Sequence, residues 1–243
     1  MATIANNLQA VQQRIARACV ACGRDPATVR LLAVSKTFGP DAVAAAAAAG
    51  QRAFGENYVQ EGVAKIETLR EAGVVGLEWH CIGPLQSNKT RAVAEHFDWV
   101  QSVDRLRIAE RLSAQRPAHR PPLQVCIQVN VDGAATKAGV SPAEALALAR
   151  AVAALPRLRL RGVMAIPDPA PHPQAMRAVF ARVAEVFETL RQALQAPPDF
   201  DTVSMGMSDD LEAAIAAGST MVRVGSAIFG RRLYANPPSN RPA

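Results

Sequence analysis

Lys36 is the residue whose type and surroundings most invite chemistry. It closes the run Leu31-Leu-Ala-Val-Ser35 and is followed by Thr37, Phe38, Gly39 and Pro40. An apolar run without alternation reads as a strand buried on both faces, and the C-terminal ends of such strands are where parallel α/β folds carry their sites. A lysine there has its stem held by core strands and its amine in a partly dry mouth. Desolvation lowers its pKa and leaves a nucleophile able to form a Schiff base. The competing reading is a lysine that ends a strand and lies in solvent. A second group lies near the C-terminus. Ser204-Met-Gly-Met-Ser208 and Gly225-Ser226 offer hydroxyls, a glycine that permits close backbone approach, and backbone N–H groups that can point at a dianion. Arg223, between Val222 and Val224, needs an acceptor if buried. That acceptor is either a carboxylate of the protein or a group on a ligand.

These residues are far apart in sequence, so the fold must bring them together. Residues 3 to 22 carry Ile4, Leu8, Val11, Ile15 and Ala18 at helical spacing, with Gly23 as the stop. Strands are expected at 31–35, 52–55, 78–82, 98–101, 123–129, 160–166, 201–204 and 221–224, alternating with helices. Pro40 and Asp41 open one helix, Asp104 is expected to cap another, Ser141, Pro142 and Glu144 make a strong helix start, and Asp209 is expected to begin the helix that stops at Gly218. Eight β-α repeats in 243 residues predict a single (β/α)8 TIM barrel of class α/β, with an additional N-terminal helix. One domain spans 1–243, with 236–243 as a flexible tail. In such a barrel the residues after each strand share one face: Lys36, Glu56 and Asn57, 83–88, Ser102 and Asp104, Asn130, Pro167 and Asp168, 204–208, and Gly225 with Ser226. Loops after strands seven and eight commonly bind phosphate.

Composition narrows the function further. Lys plus Arg exceeds Asp plus Glu by 27 − 21 = 6, but the excess is spread along the chain and does not cluster with aromatics, which argues against a nucleic-acid surface. A basic pocket for one anionic ligand or ordinary solvated helix surface accounts for it. No leader pattern or membrane-length apolar run is present, so no membrane association and a cytoplasmic location are expected. Cys19, Cys22, Cys81 and Cys126 are too few and scattered for a disulfide framework, and the Cys19/Cys22 pair lacks a second pair to complete a zinc site. No metal is expected.

With these residues assembled, the sequence resembles the pyridoxal phosphate homeostasis protein family. The matching stretches are Leu32-Ala-Val-Ser-Lys-Thr37, Phe54-Gly-Glu-Asn-Tyr-Val-Gln-Glu61, Trp79-His-Cys-Ile-Gly-Pro-Leu-Gln-Ser-Asn-Lys89, Gln101-Ser-Val-Asp104, Gly162-Val-Met-Ala-Ile-Pro167, Ser204-Met-Gly-Met-Ser-Asp-Asp210 and Val222-Arg-Val-Gly-Ser-Ala-Ile-Phe-Gly230. The resemblance implies a barrel like the N-terminal domain of bacterial alanine racemase, with pyridoxal 5′-phosphate (PLP) held as an internal aldimine on Lys36. It implies that Ser204, Gly225 and Ser226 hold the phosphate, that Arg223 faces the pyridine nitrogen and that Asn57 lies near the ring. In one place the chain departs from the family: Ala134 stands where a glutamate usually precedes the lysine matching Lys137, which leaves a secondary role of Lys137 open.

PLP in a pocket does not by itself make an enzyme. An arginine cannot accept the ring proton, so Arg223 damps the cofactor's electron sink, although related racemases also work with arginine there. A racemase also needs a second base on the opposite face of the substrate carbon. In alanine racemase a tyrosine from a second domain of the partner subunit supplies it, and no such domain is expected after strand eight. Of the two tyrosines, Tyr58 reads as structural and Tyr234 lies in the tail; the histidines His80 and His172 read as structural, and His96 and His119 read as surface. The expectation is therefore a non-catalytic PLP-binding protein that buffers or delivers the cofactor to PLP-dependent apoenzymes, with no catalytic residue assigned and a monomeric state. A weak amino-acid racemase and a Schiff-base aldolase using Lys36 directly are the alternatives.

Overall fold

A computed structural model describes residues 3–133 and 137–230. The chain opens with α1 (Ile4–Ala21), in which Leu8, Val11, Ile15 and Cys19 recur on one buried face and the Thr3 side chain caps the first turn. Eight strands follow: β1 (Arg30–Val34), β2 (Ala53–Glu56), β3 (Glu78–Cys81), β4 (Trp99–Val103), β5 (Leu123–Gln128), β6 (Leu158–Met164), β7 (Thr202–Ser204) and β8 (Met221–Val224). Between them run α2 (Pro40–Ala48), α3 (Val59–Glu71), α4 (Thr90–His96), α5 (Leu106–Gln115), α6 (Pro142–Ala153), α7 (Pro173–Ala193) and α8 (Leu211–Ala216), and the short α9 (Ser226–Phe229) follows β8.

The strands close in sequence order into a barrel, every neighbouring pair parallel. Closure sets Leu32 of β1 opposite Arg223 of β8 and Ala33 opposite Val224. This is the expected (β/α)8 barrel with its extra N-terminal helix. Strand residues facing outward join the helices in one large apolar core, while Leu32, Val34, Ala53, Ile82 and Met221 form a smaller apolar cluster of their own, as do Trp99, Cys126 and Met164. No helix among the described residues is long and apolar enough to cross a membrane.

The helix starts test local chemistry. Ser141 and Glu144 form the reciprocal capping box expected of them. Asp104 does not cap α5, because the chain is still extended at Arg105, and the Asp104 carboxylate pairs with the Arg105 guanidinium at 3.1 Å. Likewise α8 begins at Leu211 and not at Asp209. Asp210 turns back to accept the Met207 N–H and so ties the loop after β7. The turn of helix α9 was not foreseen. The expected tail, including Tyr234, and Ala134 lie outside the described residues.

Candidate functional site

Lys36 sits just past the end of β1, and both of its neighbours are anchored. The Ser35 hydroxyl donates to Glu56 Oε1 at 2.6 Å, and Lys65 Nζ donates to the Ser35 carbonyl at 2.9 Å. On the other side the Thr37 N–H, in a left-handed conformation at φ 69°, donates to Glu61 Oε1 at 2.6 Å. Glu61 and Lys65 are one turn apart on α3 and pair at 3.2 Å. Lys65 also pairs with Glu56 at 2.6 Å, both side chains being almost completely buried. Burial pushes the Glu56 carboxyl upward, with Lys65 opposing. Glu56, expected at the mouth, is thus part of the support beneath Lys36: as the last residue of β2 it turns toward α3.

A cleft of about 250 Å³ opens at the C-terminal ends of the strands. Lys36, Asn57, Arg223, Gly225 and Ser226 all line it, so five of the six residues expected to bind the ligand meet in one place. Val34, Ile82, Ile166 and Met207 supply apolar walls, and Ser208 and Asp209 complete the lining. Asn57 is positioned by close packing against Gly83: a Cβ on that glycine would overlap the Asn57 carbonyl.

Arg223 is 4% exposed and reaches inward from β8. Its Nη1 donates to the Ser204 carbonyl and hydroxyl, each at 2.8 Å, and its Nη2 donates to the Ala165 carbonyl at 2.8 Å. Among the described residues no carboxylate pairs with it directly. Desolvation pulls the guanidinium down to about 10 while Asp210 opposes the shift, so the group stays charged at neutral pH.

Ser204 lies elsewhere than expected. It is fully buried, its hydroxyl accepts from Arg223 and donates to Gln101 Oε1 at 2.6 Å, and it is not part of the cleft lining. The serine of that loop that does line the cleft is Ser208, whose hydroxyl lies 3.3 Å from that of Ser226. A serine four residues past the strand end was visible in the sequence, but the direction of each hydroxyl was not. The apolar walls Ile82, Ile166 and Met207 carried no chemical signal and were missed.

The other candidates stand apart from the cleft lining. Lys137 pairs with Asp132 at 2.7 Å and Asp168 at 2.8 Å. Tyr58 is exposed beside the start of α3, and His172 caps α7. The four cysteines are free thiols. Among the described residues no group of three His, Cys, Asp or Glu is placed to hold a metal ion.

The donor set fits PLP. An amine for an aldehyde, two hydroxyls beside Gly225 for a phosphate, a guanidinium charged at neutral pH for a ring acceptor and apolar walls for the ring faces share one cleft.

Residues 2–232 match the family model for the alanine racemase N-terminal domain. The chain is 58% identical over 234 residues to the pyridoxal phosphate homeostasis protein of Escherichia coli K12, covering 96% of this chain and 99% of that protein. The structure of PipY from Synechococcus elongatus PCC7942 with PLP bound superposes with a TM-score of 0.75 at 38% identity, covering 89% of this chain and all of that one. The alanine racemase of Corynebacterium glutamicum gives a TM-score of 0.63 at 18% identity, a likeness of fold that covers 95% of this chain and 62% of that one.

Proposed function

The chain belongs to the pyridoxal phosphate homeostasis proteins, within the alanine racemase N-terminal domain family, and from that premise we propose that it holds PLP covalently on Lys36 and buffers or delivers it without turning over a substrate. What carries the reading is the convergence of Lys36, Asn57, Arg223, Gly225 and Ser226 on one cleft. Bound PLP supplies an aldehyde to an amine and a conjugated ring that draws electron density from an attached carbon. The protein's residues bind and restrain it. Lys36 provides the amine, Ser226 and Ser208 donate to the phosphate beside Gly225, Asn57 lies at the ring edge, and the apolar walls exclude water from the ring faces. Arg223 presents N–H groups and accepts no proton, so it keeps the ring nitrogen unprotonated and damps carbanion chemistry.

Racemisation needs a proton acceptor on each face of the substrate carbon. Among the described residues lining the cleft, the only such group besides Lys36 is the exposed carboxylate of Asp209. This arrangement favours a carrier. PLP-dependent apoenzymes are the partners for delivery, a monomer suffices for the site, and four unpaired thiols suit a reducing cytoplasm.

The test is the absorption spectrum of the purified protein before and after borohydride reduction, followed by peptide mapping. A visible band that becomes fixed to the peptide containing Lys36, and that Lys36→Ala abolishes, is the expected result. A colourless protein that cannot be loaded with PLP overturns the reading. Exchange of the α-proton of added D- or L-amino acids with solvent would replace the carrier by the racemase.

A further inference from the structure

The barrel interior contains a column of polar side chains where (β/α)8 barrels usually pack branched apolar ones. Arg223 Nη1 donates to Ser204 Oγ at 2.8 Å, and Ser204 Oγ donates to Gln101 Oε1 at 2.6 Å. Gln101 Nε2 in turn donates to His80 Nδ1 at 2.9 Å, and His80 Nε2 meets Glu78 Oε1 at 2.7 Å. Arg30 Nη2 closes the lower end on the same Glu78 oxygen at 2.6 Å. The column joins β8, β7, β4 and β3, from the floor of the cleft to the opposite end of the barrel. Gln101 also reaches across to Met221 Sδ at 3.1 Å, and His80 stacks on Trp99 with ring centres 4.9 Å apart.

The direction of the column follows from its ends together with the orientation of the Gln101 amide. A guanidinium only donates and a carboxylate only accepts. With Arg223 at the top, Ser204 must accept from it and donate downward; Gln101 then offers its oxygen to Ser204 and its amide N–H to His80, and His80 is neutral with its proton on Nε2. Every group is used in one sense, and turning the Gln101 amide over would require an imidazolium donating from both ring nitrogens, which the complete burial of His80 opposes. The surroundings of His80 agree. Burial lowers its pKa, and Glu78 on its own strand, Arg30 from β1, Gln101 on β4 and Asp98 just before β4 are the polar and charged groups around it.

Placing an amide, an imidazole and a hydroxyl in a barrel core gains little stability over apolar packing, and any break leaves buried groups unsatisfied. Arg223, the one member that borders the cleft, is held by the carbonyls of Ser204 and Ala165 and, through the Ser204 hydroxyl, by the column. We infer that Gln101 and His80 are positioning residues for the ligand: acting through Ser204, they hold the Arg223 guanidinium in the orientation that meets the acceptor nitrogen of the ligand's ring. This rests on the PLP reading of the cleft.

The experiment compares PLP with its deaza analogue, which carries C–H in place of the ring nitrogen, on wild-type protein and on Gln101→Leu, with Ser204→Ala as a second variant. Wild type is expected to prefer PLP by about tenfold, the worth of one well-placed hydrogen bond. In both variants the preference falls clearly below that of the wild type while borohydride still labels the peptide containing Lys36. A purely structural role would weaken both ligands alike, so an unchanged preference with normal labelling overturns the inference and leaves the PLP reading standing. A wild-type protein that takes up neither ligand overturns that reading and the inference with it. Independently of any variant's folding, nitrogen-15 NMR of histidine-labelled, ligand-free protein is expected to find His80 as the neutral Nε2–H tautomer. The Nδ1–H tautomer or an imidazolium at neutral pH also overturns the inference.

Discussion

The Lys65 ammonium lies 2.6 Å from the Glu56 carboxylate and, at 2.9 Å, donates to the carbonyl of Ser35, the residue directly before Lys36. A buried ion pair therefore braces the backbone that carries the reactive amine. Such a pair contributes little net stability over an apolar filling, but removing one partner strands the other. Lys65→Met is expected to cost about 3–5 kcal/mol at neutral pH, read as the shift in a urea unfolding midpoint. The Glu56 pKa is already raised above 4.5 by burial and loses its cation in this variant. A raised carboxyl is stabilising in its protonated form, so the variant should lose further stability as pH rises above about 4.5. The double variant Glu56→Gln/Lys65→Met is expected to recover much of the loss. Additive losses would mean that the two side chains do not act as a pair.

Gly83 tests how Asn57 reaches the cleft. Its missing Cβ is where the Asn57 backbone packs, and Gly83→Ala must push that segment away. Overpacking of this kind costs about 1–3 kcal/mol. The larger effect is expected on ligand affinity, since Asn57 lines the cleft and Gly83 does not. Equilibrium titration with PLP against thermal unfolding separates the two. A variant with a lowered melting temperature and unaltered affinity would show that the position of Asn57 is immaterial to binding.

The hydroxyls of Ser208 and Ser226, 3.3 Å apart at the cleft edge, are assigned to the phosphate. Ser226→Ala should therefore weaken PLP by about tenfold, the scale of one charge-assisted hydrogen bond, and leave pyridoxal, which lacks the phosphate, almost unaffected. Equal losses for both ligands would place the phosphate elsewhere.

What the sequence disclosed and what it hid divide along a physical line. Eight short apolar runs alternating with helical patterns were enough for the barrel, because buried parallel strands need no side-chain detail to be recognised, and strand-end positions then put Lys36, Asn57, Gly225 and Ser226 in one mouth; Arg223, inside strand eight, was placed at the ligand by the family resemblance. Ser204 was misplaced because β7 is three residues long, too short for alternation to say which way a hydroxyl points. Glu56 was misplaced for a similar reason: a strand's last residue faces either the mouth or the helix layer, and only the cation on α3 decides it. The column from Glu78 to Arg223 was invisible, since its links between strands join residues 21, 103 and 19 positions apart, and the longest, from Gln101 to Ser204, crosses the barrel between β4 and β7. His80 was read as structural, which is true of its burial but leaves out what it is bonded to.

The same column predicts how the fold responds to acid. His80 is held below its ordinary 6.5, mainly by burial. As pH falls through 6.5, the unfolded chain takes up a proton that the native protein refuses, so stability is lost on that side. Glu78 behaves differently: burial alone would raise it, but its hydrogen bond to His80 and the nearby Arg30 hold it below the 4.5 of the unfolded chain. Its contribution is present above 4.5 and is lost as pH falls below that value. Glu56 opposes both, since its raised pKa favours the native state as pH falls towards 4.5. Urea midpoints for wild type are therefore expected to decline in two stages on acidification, the first below about 6.5 and the second below about 4.5. His80→Gln lowers stability at neutral pH, because it cannot satisfy both Gln101 and Glu78, and removes the first stage while the second persists in weakened form. Glu78→Gln weakens the second, which Glu144 and Asp132, also held below their ordinary values by hydrogen bonds, share. If the His80 variant kept the wild-type decline below 6.5, another group would be the one titrating and the buried imidazole would not be neutral in the native barrel.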